Sequence, residues 1–179
     1  KRTVVKAFYE CNYLQGNEGN IDPVHLSFLH QVLNEAQIAR QRIVQGVKAT
    51  DNTLLGRDVA PTIEVEVSNF GLRIYTTRDA GADKRYLRVT NFVMPNLAAF
   101  GGSTVGGGYA VHWHVPIGDH THWKYIFAFS RDKELDEFLR TRSRVELTAD
   151  YHLTRNAANR YQQDRASMKT QTFTGMGTN

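Results

Sequence analysis

Alternation dominates the middle of the chain. Ile63, Val65 and Val67 alternate with Glu64, Glu66 and Ser68, the period of two that predicts a half-buried strand. Asn69-Phe70-Gly71 predicts a turn, and Leu72 to Tyr75 starts the return strand. A third strand is read over Tyr86 to Val93, and Tyr109 to Ile117 with Trp123 to Phe129 predicts a hairpin around GDHTH. At the start, TVVKAFYECNY is rich in β-branched and aromatic residues and reads as a strand. LQGNEGN, with its glycines and asparagines, reads as a loop. A different period follows. Leu26, Leu29, Val32, Leu33 and Ala36 recur at helical spacing across Val24 to Gln37. Asp22-Pro23 before them is a helix start, with Asp at the N-cap and Pro at the first helical position. Residues 45–60 read as loop, Asp132 to Arg140 as helix, and the polar tail from Tyr151 to Lys169 as loop followed by a short helix. No internal repeat interrupts the order. One strand, a helix, about five antiparallel strands and an irregular tail make an α+β class. A curved antiparallel sheet folded over helices encloses a cavity suited to a small molecule.

Composition narrows the picture. A chain of 179 residues, 41% hydrophobic and 22% charged, suits one globular domain. The net charge of +4 is mild, and the basic residues are scattered, with small groups at Arg40 to Arg42 and Arg140 to Arg144. No nucleic-acid partner is expected, since that wants a clustered basic face with interleaved aromatics. A basic surface suits an anionic substrate or an acidic redox partner equally well. No apolar run approaches the ~20 residues of a membrane span, and no signal-peptide pattern is present. No membrane partner is therefore expected, and a cytoplasmic location is. Cys11 is the only cysteine, which excludes an internal disulfide and an iron–sulfur cluster held by cysteines of this chain. It reads as a small buried hydrophobe. The chain opens on Lys and stops at TGMGTN, so it is expected to be part of a longer polypeptide.

Candidate chemistry sits in NIDPVHLSFLH, where Asp22, His25 and His30 share a frame of mostly apolar residues. Two histidines with a carboxylate and open positions form the ligand set of non-haem Fe(II) oxygenases. Neutral imidazoles and a carboxylate hold one face of the metal and leave the other for substrate and O2. His25 and His30 are five apart, about 140° around a regular helix, so gripping one metal requires a loosened turn such as a π-bulge. Asp22, three before His25, can reach the outer ring nitrogen and fix its tautomer. The plainer reading is that Asp22 only caps the helix, and both roles can hold at once.

The run ECNYLQGNEGNIDPVHLSFLH resembles the iron-binding segment of Rieske-type non-haem iron oxygenase alpha subunits. Asn12-Tyr13, Glu18, Asp22, His25 and His30 fall in register with it. HWHVPIGDHTHWKY and NRYQQDRASMKTQTFTG resemble later stretches of the phthalate dioxygenase-like group, which includes aromatic O-demethylases. The resemblance implies a helix-grip fold of the START or Bet v1 kind, in which residues 1–179 are part of a catalytic domain whose C-terminal helix is truncated. It implies His25 and His30 as iron ligands and Asn12 near the iron. Asp22 would bridge His25 to a Rieske histidine of a neighbouring subunit. It implies hydroxylation or O-demethylation of an aromatic substrate with O2, driven by NAD(P)H through a reductase or ferredoxin, in trimers or stacked trimers. Two departures follow. The [2Fe-2S] Rieske cluster must lie on a domain outside this chain. The third ligand, a carboxylate, is expected beyond Asn179, with Asp150 and Asp164 as the nearest local substitutes.

Other features read more plainly. His112 and His114 alternate on a strand and share a face, and His120 and His122 follow across the turn. The reading preferred over a separate metal site sends two into a polar cavity and two onto an exposed loop, with His112 or His114 free to touch substrate. Gly106-Gly107-Gly108 lacks the Lys-Ser/Thr of a phosphate loop, and Arg40 and Arg42 read as a solvated helix end. The rival to an oxygenase is a non-catalytic binder of a hydrophobic ligand, in which His25 and His30 carry no metal.

Overall fold

The computed structural model describes residues 2–29, 58–101, 109–129, 134–135, 146–172 and 175. Among the described residues seven strands form one antiparallel sheet: β1 (Arg2–Tyr9), β2 (Thr62–Ser68), β3 (Gly71–Gly81), β4 (Lys84–Val93), β5 (Leu97–Gly101), β6 (Tyr109–Gly118) and β7 (Thr121–Phe129). They lie in the order β1-β7-β6-β5-β4-β3-β2, so β2 to β7 are a meander and β1 closes onto its last strand. The sheet is curved, and with its few helices it is an α+β, helix-grip-like fold. Every strand of this list was read in the sequence, from alternation or from β-branched and aromatic composition, except β5, whose five residues Leu97–Gly101 are too few to show a period.

The stretch read as a loop is instead a helix. α1 (Tyr13–Ile21) follows directly on β1, and α2 (Leu26–Leu29) begins the segment that carries His25. Asn12 caps α1 by accepting from the backbone N–H of Leu14 at 2.9 Å. The glycine that argued against a helix is what lets this one dock. A Cβ on Gly16 would stand 2.4 Å from ring atoms of His114, so α1 approaches the sheet at a distance that excludes any side chain there. The helix packs across β6, β5 and β4.

Register and alternation put Ala7, His122, His114, Ala110, Ala98, Phe100, Thr90, Ile74, Thr76 and Arg78 on one face. All of them are buried, and this is the face that α1 covers. Ile63, Val65 and Val67 share it through their pairing with β3, yet all three are exposed, Val67 at 81%. The half-buried strand expected there is an exposed edge. The outer edge of β1 meets the tail, where the Phe8 N–H donates to the Tyr151 carbonyl at 2.9 Å. The tail itself is held by two 3-10 turns, Ala157–Gln162 and Ser167–Lys169. The helix read over Asp132 to Arg140 and the triple glycine lie outside the described residues, apart from Glu134 and Leu135.

Candidate functional site

Asp22 stands where α1 ends and the next helical turn begins. Its backbone N–H donates to Glu18 at 3.0 Å, closing α1. Its Oδ1 accepts from the backbone N–H of Val24 at 2.7 Å, starting the turn that leads to α2. Its Oδ2 lies 3.4 Å from Nδ1 of His25. Capping and contact with the histidine therefore coexist, and His25 keeps Nε2 on the far side of its ring. Beyond His25 the backbone is helical, with the Phe28 and Leu29 N–H groups both donating to the His25 carbonyl at 3.0 and 2.7 Å. His30, the loosened turn expected before it, and Arg40 and Arg42 lie outside the described residues.

Arg78 braces this segment from the sheet. It is fully buried, and its Nη2 donates to the Pro23 carbonyl at 2.7 Å and to Ser27 Oγ at 3.3 Å, while Nε donates to the Asp58 carbonyl at 3.1 Å. A guanidinium in this position ties both flanks of His25 to β3. Burial pulls its pKa down, the neighbouring Arg88 charge adds to that, and Asp58 opposes it.

Three histidines line the same face. His112 Nδ1 meets Asn20 Oδ1 at 2.8 Å, and Asn20 Nδ2 meets His114 Nε2 at 2.5 Å. His114 Nδ1 meets His122 Nε2 at 2.9 Å, and His122 Nδ1 meets the Cys11 carbonyl at 2.9 Å. One continuous series of hydrogen bonds thus joins β6, α1, β7 and the end of β1. His122 is not on the exposed loop, as first read, but on β7 and fully buried; the register shift after Pro116 turns it inward. His120 alone of the four sits in the turn. Cys11 is half-buried rather than a core residue, and it is the carbonyl that bonds.

Burial holds these rings neutral. It pushes His112 and His114 down to about 3, helped by the Lys124 charge. His122 is lowered by burial too, with the bond to Cys11 opposing. Lys124, across from His114 in the register, is itself lowered to about 8 by burial. Arg78, Arg88 and Lys124 all belong to the inner face, and among the described strand residues no Asp or Glu shares it. Asp58, outside the strands, is the carboxylate whose charge acts on Arg78.

Among the described residues no three His, Cys, Asp or Glu side chains converge on one metal position. Asp150 binds the Thr148 hydroxyl, and Asp164 caps the N–H groups of Ala166 and Ser167; both carboxylates serve local turns. Asn12, besides its cap, donates to the Asp119 carbonyl at 2.8 Å and so fastens α1 to the β6–β7 turn. A cavity of about 660 Å³ opens between the end of β1 and the tail, lined by Tyr9, Glu10, Cys11, His152, Arg155 and Tyr161 among others. No helix among the described residues is long and apolar enough to cross a membrane.

A family profile described as LigXa C-terminal domain like matches residues 1–178. The chain belongs to this family. The LigXa C-terminal-like domain is also similar to the phthalate 4,5-dioxygenase oxygenase subunit of Pseudomonas putida, 33% identical over 186 residues that cover 97% of this chain. It spans 40% of that relative's length. Both findings support the resemblance to Rieske-type oxygenase catalytic domains. In this LigXa C-terminal-like domain, sequence reasoning missed Asn20, Arg78 and Lys124, and put His122 on the loop instead of in the buried series. His122 and Lys124 alternate with His120 and could have been placed by the period of β7. Asn20 and Arg78 carry no local signal, because their partners are 20 to 94 positions away.

Proposed function

We propose that this chain is part of the catalytic domain of a Rieske-type non-haem iron oxygenase of the phthalate dioxygenase-like group, acting on an aromatic acid by hydroxylation or O-demethylation. His25 and His30 hold Fe(II), with a carboxylate from beyond Asn179 as the third ligand. The observation that carries the reading is the 3.4 Å approach of Asp22 Oδ2 to His25 Nδ1. A carboxylate on Nδ1 fixes the tautomer in which Nε2 offers its lone pair, as metal-bound histidines require. The donor set also fits: imidazole and carboxylate suit ferrous iron, and one open face is left for substrate.

Bound there, Fe(II) supplies the O2-activating chemistry that the side chains lack. The chain's own residues prepare the position. Asp22, whose Oδ2 lies 3.4 Å from His25 Nδ1, orients that ring and, in the same reading, links it to the Rieske [2Fe-2S] cluster of a neighbouring subunit in a trimer. Arg78 holds the Pro23 carbonyl and the Ser27 hydroxyl, and so fixes the segment that carries His25. Asn12 stands near the metal and keeps α1 in place. Electrons come from NAD(P)H through a reductase or ferredoxin. The inner face, with Arg78, Arg88 and Lys124 and no carboxylate among the described strand residues, favours an anionic aromatic substrate, in keeping with the phthalate in the relative's name.

The test uses the full-length protein reconstituted with Fe(II). His25→Ala is expected to lose its mononuclear iron. Asp22→Asn keeps the cap on Val24 but turns an amide N–H toward His25; a tenfold to hundredfold loss of iron affinity or of coupled turnover is expected. Iron retained at the wild-type level in His25→Ala would sink the reading and favour a passive binder of a hydrophobic ligand.

A further inference from the structure

Both ends of α1 are tied to one hairpin, β6–β7. At the start, Asn12 donates to the Asp119 carbonyl at 2.8 Å. At the end there are two ties, both made by Asn20, and their direction is fixed. A carbonyl oxygen only accepts, so His122 Nδ1 donates to Cys11. Neutral His122 then accepts at Nε2, and His114 Nδ1 donates to it. His114 Nε2 in turn accepts from the Asn20 amide N–H. Asn20 Oδ1, the other end of the same amide, accepts from His112 Nδ1 at 2.8 Å. Each assignment is forced by the one before it, so the Asn20 amide cannot turn over without losing both bonds. The last turn of α1 is thereby held on β6.

The two sides of the Asp22–His25 contact are anchored on different strands. Asp22 closes α1 through its N–H to the Glu18 carbonyl and stands two residues after Asn20, on the side held by β6. His25 stands between Pro23 and Ser27, both held by Arg78 of β3. Between the two holds the chain leaves the helix: Asp22 is extended, at φ −71° and ψ 115°, the conformation favoured before a proline. β5 and β4 separate β6 from β3, which puts the two anchoring strands roughly 14 Å apart. The 3.4 Å from Asp22 Oδ2 to His25 Nδ1 lies just outside the range of a full hydrogen bond, so a small displacement of α1 decides whether the contact closes or opens. We propose that Asn20 is a positioning residue for the metal site: its two bonds to β6 set Asp22 against His25 and so select the His25 tautomer with a bare Nε2. The inference rests on the function proposed above and adds to it a residue outside the ligand set.

The test is a double-mutant cycle on the full-length protein, with Fe(II) affinity read by competition with a chelator. Asn20→Leu is expected to weaken Fe(II) binding about tenfold. In the Asp22→Asn background the same change is expected to cost less than about twofold, because Asn20 acts through Asp22. A general loosening of the fold would instead add in full to the Asp22→Asn loss. Should Asn20→Leu fail to fold, Asn20→Ser, too short to reach both rings, makes the same cut. The His25 tautomer gives a second reading that needs no iron. NMR of labelled imidazole nitrogens, in full-length protein free of mononuclear iron, is expected to find the His25 proton on Nδ1. In Asn20→Leu or Asn20→Ser the proton is expected to divide between the two nitrogens; the signal missing from His25→Gln identifies the ring. The proposal is overturned if wild-type His25 lacks the Nδ1 proton, if the Asn20 variants keep the wild-type tautomer, or if their loss of iron affinity is absent or fully additive. Iron held as tightly by His25→Ala as by the wild type would refute the oxygenase reading, and the tautomer would still decide the role of Asn20.

Discussion

The two ends of the inner face are opposites. Toward β6 and β7 it carries histidines, an asparagine partner and a lysine, and His114 and His122 are almost wholly buried. Toward β2 it carries Ile63, Val65 and Val67, and these are exposed. Side-chain hydrophobicity would have put them the other way round. The difference is α1, which lies over β4, β5 and β6. What the helix covers is buried whatever its polarity, and the polar groups beneath it stay only because nearly every nitrogen has a partner. Burial at one end thus goes with chemistry, while at the other the apolar row stays exposed.

Acid attacks this contrast hardest. An unfolded histidine titrates near its ordinary value of 6.5, whereas His112 and His114 resist protonation down to about 3. Between those limits the unfolded chain binds more protons, so stability falls as pH falls. The loss is about 1.4 kcal/mol per pH unit for each ring, read by urea unfolding from pH 6.5 to 4.5. A double change of His112 and His114 to Gln is expected to flatten the slope. At the alkaline side the sign is the same and so is the cause, burial of a cationic group. Lys124 loses its proton near 8 when folded but near 10.5 when unfolded, so stability rises from pH 8 to 10.5, and Lys124→Met removes that rise.

Next in size is Gly16→Ala. Alanine ordinarily gains about 1 kcal/mol over glycine within a helix, but here its Cβ meets the His114 ring. A net loss of about 2–3 kcal/mol is expected from overpacking, read in the thermal midpoint. His122→Phe leaves the Cys11 carbonyl and His114 Nδ1 without partners and is expected to cost about 2 kcal/mol, against less than 1 for His122→Gln. At the far end, Val65→Ser is expected to stay within about 0.5 kcal/mol; a loss above 2 would show that the exposed row is covered in solution and would erase the contrast.

The strands were legible because alternation is a local property, and one register follows from it. α1 was not, since Gly16, Gly19, Asn17 and Asn20 argue for a turn when judged by propensity alone. Tertiary contact overrides propensity here: Asn12 caps, Gly16 admits the His114 ring, and Asn20 bonds two histidines. The approach of Asp22 to His25 was legible from a spacing of three. Arg78 was not, because its brace on Pro23 and Ser27 spans more than fifty residues and leaves no pattern along the chain. β2 shows the opposite failure, a clean alternation whose apolar side lies open to solvent.

The Cys11 carbonyl closes the histidine series from the main chain, not from a side chain. Swapping the thiol at that position for almost any other group would leave the oxygen where it is. A survey of substitutions would therefore score position 11 as tolerant, while the atom that gives four side chains their polarity goes undetected. What anchors the relay is the path of the backbone after β1, and only a change that bends this path can reverse it.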